Sequence, residues 1–270
     1  MYCIMNEALS GEIFKQSFKP FPPEILMELK AANHGEALER LVPLLNGLND
    51  VDYQHSIRVA LAAKDVIDFL EREEGDTELS PEGKNKFRLT PEDKSDFLLA
   101  ALFHDIGKIR IEDPSLTANG KKLSEAEFAV IKTHVRHGHD ILKNCAPRAA
   151  SIAVRHHEFQ NKPYPCGNGG NNVARSDIPS VEQRWEKRIK VPERDLTLSR
   201  LLAMIDQFDS ATDGKRAYKK QASLQDACEE ISHSPFFADV ESQRVMARLT
   251  EFFTKEGACH QPFSRFEVTG

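Results

Sequence analysis

Histidine and aspartate residues recur in this sequence at positions where an apolar helix would ordinarily carry an aliphatic side chain. They lie within or beside helix-like segments and are His55, His104, Asp105, His134, His156, His157 and Asp206. Burying an imidazole or a carboxylate costs free energy unless the group is paired or bound to a metal. Several such positions in one chain therefore predict a shared metal site.

The dipeptide His104-Asp105 is distinguished by its surroundings, because a second His-Asp dipeptide at positions 139–140 has no predicted role. The first dipeptide follows an apolar run and precedes Gly107 and Lys108. Neighbouring helix positions differ by about 100°, so both side chains could reach an ion beyond a helix end. We expect Gly107 to end the helix and Lys108 to turn back toward the same point.

Hydrophobic periodicity predicts a mostly helical chain that positions these residues. An apolar stripe at helical spacing includes His55, and a helix over 196–210 is expected to carry Asp206. A helix over 93–106 would carry the His-Asp pair, and Ser124 begins a capping-box pattern that is typical of a helix start. We expect no strand-rich region.

Composition limits the class of protein. At 270 residues with 40% hydrophobic residues, the chain can bury one large core. A net charge of −6 argues against binding along an extended nucleic acid. No apolar run reaches the roughly 18 residues of a membrane-spanning helix, and the start lacks the pattern of a secretory signal. We therefore expect a cytoplasmic protein with reduced cysteines and no membrane partner.

The order of these motifs resembles the HD superfamily of metal-dependent phosphohydrolases. The individual residues within these motifs resemble those of the HD-GYP branch, which comprises bacterial phosphodiesterases of cyclic di-GMP. The matching stretches are HDIGKI at 104–109, E-x-x-x-I-K-T-H-x-x-x-G at 127–138, HHE at 156–158, and D-Q-F-D-S-A-T-D with R-A-Y-K within 206–219. This resemblance covers about residues 51–220 and implies an all-α HD-domain helical bundle.

The resemblance also implies a division of the chain. A short N-terminal helical extension would occupy residues 1–50, and a C-terminal tail would occupy 256–270. The HD domain would span 51–255 and include a polar insertion at about 160–194. A helical extension of this kind could support a homodimer.

Two divalent metal ions are implied, with Fe or Mn expected and Zn or Ni also compatible with these ligands. Asp105 would bridge the two ions. The other ligands would be His55, His104 and Asp206 on one side, and His134, His156 and His157 on the other. By resemblance, a hydroxide that bridges the metals would attack phosphorus, with Asp105 and Lys108 as the catalytic residues.

The resemblance further implies a small anionic nucleotide as substrate. Lys108 would bind a phosphate oxygen, because an ammonium group acts as a point charge for phosphate. Further substrate contacts would come from Arg216, Lys219 and Tyr164. We expect Asp209 to be a hydrogen-bond partner rather than a ligand, and the histidines at 137 and 139 to be solvated.

Two departures from the family pattern bear on the expected site. Some family members hold a third metal with a Glu four residues before the first histidine, where this chain has Val51, so two metals are expected. Asp52 lies about 100° around the helix from that position. In the segment after HHE, Pro163 replaces the Gly of G-Y-P, and proline cannot adopt the backbone conformations that glycine permits.

Four functions remain open from the sequence. The first is hydrolysis of a cyclic dinucleotide, with cyclic di-GMP the leading candidate. The second is the same chemistry on another nucleotide or phosphoester, with the insertion shaping a different pocket. A third is a non-catalytic, metal-containing signalling or binding module. A fourth is oxygen chemistry on a di-iron centre, which Lys108 argues against because it favours phosphate.

Overall fold

A computed structural model describes residues 19–75, 89–113, 115–118, 123–160, 164, 192–213 and 222–234. Within these ranges the regular elements are helices alone, which confirms the predicted all-α fold. In chain order the α-helices are α1 Pro23–Ala31, α2 Gly35–Asn46, α3 Asp50–Gly75, α4 Pro91–Phe103, α5 Ser115–Ala118, α6 Glu125–Lys132, α7 His134–Leu142, α8 Pro147–Ala153, α9 Glu193–Thr212 and α10 Leu224–Ser232. A 3₁₀ helix, Ile106–Arg110, lies between α4 and α5.

The core is built around α4, whose residues from Phe97 to Phe103 are all fully buried. A helix that is apolar on every side belongs at the centre of a protein. Helices α3 and α8 pack on α4, and α9 packs on both of them. From α1, Ile25 and Leu29 are buried in the same hydrophobic core, so this helix is joined to the domain by packing. The division of the chain at residue 50 stays a prediction.

Side-chain caps explain where two of these helices begin. Thr90 accepts a hydrogen bond from the backbone of Asp93, and the Asp93 carboxylate accepts one from the backbone of Thr90. Ser124 and Glu127 form the same reciprocal pair at the start of α6, which confirms the predicted capping box. Each pair satisfies backbone groups that a helix end would otherwise leave without a partner.

The prediction that Gly107 ends the helix that carries His104 and Asp105 was wrong. Helix α4 ends at Phe103, His104 and Asp105 lie in the turn that follows, and Gly107 lies inside the 3₁₀ helix. A Cβ atom at position 107 would lie 1.9 Å from the carbonyl oxygen of His134. The glycine is therefore required because the backbone of α7 approaches it closely.

A group of ion pairs ties together the starts of three helices. Asp93, near the start of α4, accepts hydrogen bonds from Arg148 on α8 and Arg194 on α9. Arg148 also donates to Asp195 at 2.9 Å. Burial alone would raise the pKa of Asp93, but the bonds from Arg194 and Arg148 lower that pKa to about 2.

Candidate metal centre

The structure brings all of the predicted metal ligands into one cluster from five separate segments. They come from α3, the turn after α4, the first residue of α7, the turn after α8, and α9, and they are His55, His104, Asp105, His134, His156, His157 and Asp206. His157 is half-buried and the others are buried. The helices of the core therefore converge on a polar centre.

Asp105 lies between two groups of histidines. Its Oδ2 atom is 3.5 Å from Nε2 of His104 and 3.6 Å from Nε2 of His55. Its Oδ1 atom is 3.1 Å from Nε2 of His134 and 3.9 Å from Nε2 of His156. Each carboxylate oxygen thus faces a different group, an arrangement in which one carboxylate could contact two ions.

Hydrogen bonds set the tautomer of three of these rings. Nδ1 of His104, His134 and His156 lies 2.8, 2.6 and 2.6 Å, respectively, from the backbone carbonyl oxygen three residues earlier. A carbonyl oxygen can only accept, so each Nδ1 carries the hydrogen. Each Nε2 atom therefore presents a lone pair to the cluster, which is the form in which histidine binds metals.

Three buried atoms in the cluster support a fit between this donor set and metal ions. Oδ1 of Asp105, Nε2 of His134 and Nε2 of His156 have no hydrogen-bond partner. A buried polar atom without a partner is destabilising, and an ion that accepts all three lone pairs would remove the penalty. Imidazole and carboxylate donors suit divalent first-row metals, so these residues could hold such ions.

His55 and Asp206 complete the first group. Nε2 of His55 lies 3.0 Å from Oδ1 of Asp206 and 3.2 Å from Nε2 of His104. Burial lowers the pKa of His55, but hydrogen bonds with Asp206 and Asp209 raise it to about 9. The two carboxylates therefore favour a positive charge at this position, which a bound cation would also supply.

The remaining charges favour the metal-binding forms of the ligands. Burial would raise the pKa of Asp105, yet the charge of Lys108 holds that pKa well below its usual range. Burial lowers the pKa of His104, and burial with a neighbouring imidazole lowers that of His157 to about 3. Metal ligands must be charged carboxylates and neutral imidazoles, and these groups meet that requirement.

Lys108 is held at the edge of the cluster by two carboxylates. Its Nζ atom donates to Oδ2 of Asp105 at 2.6 Å and to Oδ1 of Asp52 at 2.8 Å. Asn49 donates to the other oxygen of Asp52 at 2.6 Å. Asp52 was not predicted as a site residue. Its position three residues before His55 was the available signal, since residues at that spacing share a helix face.

An aromatic wall borders the second group of histidines. The ring of Tyr164 stacks on His157 with ring centres 4.6 Å apart, and Phe128 meets Tyr164 edge to face at 6.2 Å. Lys132 Nζ lies 4.7 Å from the centre of the Phe128 ring and 5.5 Å from that of Tyr164. Phe128 and Lys132 were not predicted as site residues. Both lie on α6, the helix just before His134 in the chain.

Other predicted residues lie elsewhere or outside the described part of the chain. Arg216 and Lys219, the expected phosphate contacts, lie outside the described residues, as do most of the insertion and the whole C-terminal tail. His137 and His139 are half-buried rather than solvated. Asp209 accepts a hydrogen bond from His55, in agreement with its expected role as a partner of a ligand.

The fold and the site together define an all-helical protein whose buried histidines and aspartates could hold divalent metal ions. The sequence model of the HD domain family matches residues 52–211. The chain therefore belongs to the HD domain family, which confirms the recognition that rested on its motifs.

Several curated relatives point to the HD-GYP branch. A cyclic di-GMP phosphodiesterase from Pseudomonas aeruginosa is 29% identical over 126 residues, which are 45% of this chain and 25% of that protein. The cyclic di-GMP phosphodiesterase response regulator RpfG from Xanthomonas campestris is 41% identical over 80 residues, which are 28% of this chain and 21% of that protein. A 3'3'-cGAMP-specific phosphodiesterase 2 from Vibrio cholerae is 33% identical over 125 residues, which are 44% of this chain and 19% of that protein.

The chain spans about a fifth to a quarter of the length of these relatives. The similarity therefore concerns one part of each relative. Among the helices in the described ranges, none combines the length and the apolar character needed to cross a membrane.

Proposed function

We propose that this protein is a metal-dependent phosphodiesterase that hydrolyses a cyclic dinucleotide, with cyclic di-GMP as the first candidate substrate. The observation that carries the proposal is Asp105, whose two oxygens face two groups of histidines while Lys108 bonds to the same carboxylate. A cation beside paired metal ligands suits a phosphate ester. The names of the relatives support a cyclic dinucleotide as the substrate class.

Two divalent ions, proposed to be Fe or Mn, would be held on the two sides of Asp105. The ligands of one ion would be His55, His104 and Asp206, and those of the other would be His134, His156 and His157. When bound, such a pair of ions supplies an activated water and neutralises charge on the phosphate. The buried helices around the site hold the ligands in place and limit the access of bulk water.

Lys108 would act on the phosphate. Its ammonium group bonds to both Asp105 and Asp52, so it can exchange one carboxylate for a phosphate oxygen while the other keeps it in place. Asp52 is the better anchor, because Asn49 already fixes its second oxygen. Lys108 would thereby bind and orient the phosphate next to Asp105, and it would offset charge that develops on the phosphate oxygens.

Substrate contacts would extend to the aromatic wall and beyond. Tyr164 packs against His157, so it would both fix that imidazole and border the space above it. Arg216 and Lys219 remain proposed contacts to a second phosphate. Assembly as a homodimer also remains a prediction.

A second candidate substrate is 3'3'-cGAMP. The relative specific for this dinucleotide matches 44% of the chain, almost the same share as the cyclic di-GMP phosphodiesterase from Pseudomonas aeruginosa. The two substrates differ in one base, and Pro163 alters the segment next to Tyr164. A comparison of kcat/KM for the two dinucleotides would decide between them.

The proposal is tested by metal analysis and hydrolysis on the same preparations. Protein purified without oxygen and reloaded with Fe(II) or Mn(II) should hold about two ions per chain and should release a linear dinucleotide or a mononucleotide. Asp105→Asn should lose both metal and activity. Asp140→Asn is the matched control, because Asp140 also follows a histidine but pairs with Lys143 at an exposed site.

Three results would separate the alternatives. If Asp105→Asn kept full metal content and rate, the assignment of the site would be wrong. Metal binding with turnover of another phosphoester alone would replace the substrate and keep the chemistry. Metal binding without turnover of any phosphoester would favour a signalling or binding module.

A further inference from the structure

His55 differs from the other oriented histidines of the cluster in the group that fixes its Nδ1 atom. His104, His134 and His156 use a backbone carbonyl three residues earlier. Nδ1 of His55 instead lies 2.6 Å from Oδ2 of Asp209, a side chain 154 residues away on α9. A helix holds its own carbonyl groups in place, whereas a side-chain carboxylate must be held by something else.

Arg58 holds this carboxylate. Its Nε atom donates to Oδ1 of Asp209 at 2.7 Å, and its Nη2 atom donates to Oδ2 at 2.9 Å. Both side chains are buried. A bidentate pair of this kind fixes the plane of the carboxylate as well as its position. Because Arg58 lies three residues after His55, one face of α3 supplies both the imidazole and the group that secures its partner.

The carboxylate also selects the tautomer of His55. A charged Asp209 can only accept, so the hydrogen of a neutral His55 lies on Nδ1 and the lone pair lies on Nε2. That Nε2 atom faces Oδ1 of Asp206 at 3.0 Å and Oδ2 of Asp105 at 3.6 Å. The opposite tautomer would place a hydrogen on Nε2, where it would bond to Asp206 and block a metal ion.

We propose that Arg58 and Asp209 are positioning residues for metal binding, which act by fixing both the direction and the tautomer of His55. The inference rests on the proposed function, which supplies the ion that His55 would bind. Neither residue touches that ion in this proposal. Their effect is on the affinity of the first group of ligands, on the side of Asp105 that faces His55.

A purely structural ion pair is the competing explanation, and Asp213 provides a control for it. Asp213 accepts a hydrogen bond at 2.9 Å from Nη2 of Arg58, the same nitrogen that donates to Oδ2 of Asp209. Asp213→Asn weakens the same ion cluster but keeps both bonds between Arg58 and Asp209. A structural role predicts similar effects of Asp213→Asn and Asp209→Asn, whereas a positioning role predicts different ones.

The first experiment measures metal affinity directly. Metal-free wild-type protein and the variants Asp209→Asn, Arg58→Gln and Asp213→Asn are titrated with Mn(II) against a competing chromophoric chelator. In Asp209→Asn, the new side-chain amide can turn its NH₂ group toward His55 and impose the opposite tautomer. We expect Asp209→Asn and Arg58→Gln to lower the Mn(II) affinity of one of the two sites by about 10- to 100-fold. Asp213→Asn should change that affinity by less than about threefold.

A second experiment reads the tautomer of His55 in the wild-type protein itself, and a variant serves only to assign the signal. Long-range ¹H–¹⁵N NMR of the wild-type protein loaded with diamagnetic Zn(II) reports which ring nitrogen of each histidine carries hydrogen. The ring of His55, assigned with a His55→Gln variant, should show hydrogen on Nδ1 and metal on Nε2. Hydrogen on Nε2, or metal on Nδ1, would overturn the inference.

The outcomes separate this inference from the proposed function. Equal Mn(II) affinity in wild type and Asp209→Asn would defeat the inference while leaving hydrolysis intact. Asp209→Asn and Asp213→Asn could lose the same amount of Mn(II) affinity and, as metal-free proteins, the same amount of melting temperature. That result would leave Arg58 with a structural role only. Metal binding that follows the expected pattern without hydrolysis would defeat the proposed function alone.

Discussion

Replacing Gly107 with alanine would test whether the close approach of two backbone segments positions His134. A Cβ atom at position 107 would lie 1.9 Å from the carbonyl oxygen of His134 and 2.4 Å from the amide nitrogen of Gly138. Both atoms belong to the backbone of α7. No side-chain rotation can therefore relieve the overlap, and α7 must move away from the 3₁₀ helix.

The size of that movement follows from the contact distances. Ordinary contacts of a Cβ atom begin near 3.4 Å, so the two segments must separate by about 1.5 Å at the His134 carbonyl. Nε2 of His134 lies 3.1 Å from Oδ1 of Asp105, and a metal site tolerates displacements of only about 0.5 Å. Overpacking typically costs about 1–3 kcal/mol, and the rigid backbone here favours the upper end of that range.

Two measurements would follow from this change. Thermal unfolding should show a lower midpoint for Gly107→Ala, and mass spectrometry of bound metal should show loss of the ion on the His134 side. Gly138→Ala is the matched control at the same helix contact, because its Cβ atom would lie 3.5 Å from the amide nitrogen of Gly107, an ordinary distance. Within α7, alanine is favoured over glycine by about 1 kcal/mol at most.

If Gly107→Ala kept both the wild-type melting temperature and the full metal content, the close approach at position 107 would not position His134. The same conclusion would follow if Gly138→Ala were equally damaging. In that case the contact would be sensitive to any added methyl group, and the overlap specific to position 107 would not explain the loss.

Three further predictions concern single carboxylates and one lysine. Asp93→Asn should destabilise the protein by about 1 kcal/mol at pH 7, after allowance for solvent around its arginine partners. Because the folded-state pKa of Asp93 is lowered to about 2, urea denaturation should show this difference above about pH 4 and lose it as the pH falls toward 2. Lys108→Ala should reduce hydrolysis at least tenfold while leaving bound metal nearly unchanged, because its ammonium group donates to carboxylates and has no lone pair to offer a metal. Asp52→Asn should raise KM several-fold with unchanged metal content, because Lys108 loses its anchor.

Each of these predictions has a contrary outcome. A stability difference for Asp93→Asn that persisted at pH 2 would mean that the lost packing, and not the charge, is responsible. Loss of metal from Lys108→Ala would place the lysine in support of the ligands. An Asp52→Asn variant with unchanged KM would show that Asp105 alone is enough to hold Lys108.

The sequence predicted which histidines and aspartates would face a common centre, because each of them lies at a regular position on an apolar helix face or directly after one. His55 shares its stripe with buried residues of α3, and Asp206 lies on the long helix α9, which extends beyond the expected 196–210 to Glu193–Thr212. Helical periodicity depends only on local spacing. It can therefore show which residues face the core from one helix at a time.

The parts that could not be predicted depend on contacts between segments far apart in the chain. Gly107 was interpreted as a helix end because glycine often has that role, whereas its actual role depends on the backbone of α7. The pairing of Arg58 with Asp209 and of Asp52 with Lys108 depends on how helices dock. Spacing of three residues from a predicted ligand was the only local signal for Arg58, Asp209 and Asp52.

The distance along the chain between the ligands has a consequence for the synthesis of the protein. His55 on α3 meets Asp206 on α9, so the first group of proposed ligands exists only after these two helices have docked. A growing chain on the ribosome presents His55 and His104 long before Asp206 has been made. If the cluster binds metal as proposed, tight uptake would come at the last stage of folding. Binding would then stabilise the folded state alone, by about 2.7 kcal/mol at a free metal concentration of 100 times Kd. Metal shortage during synthesis should then appear as faster proteolysis of newly made protein, before any loss of activity in protein that is already folded.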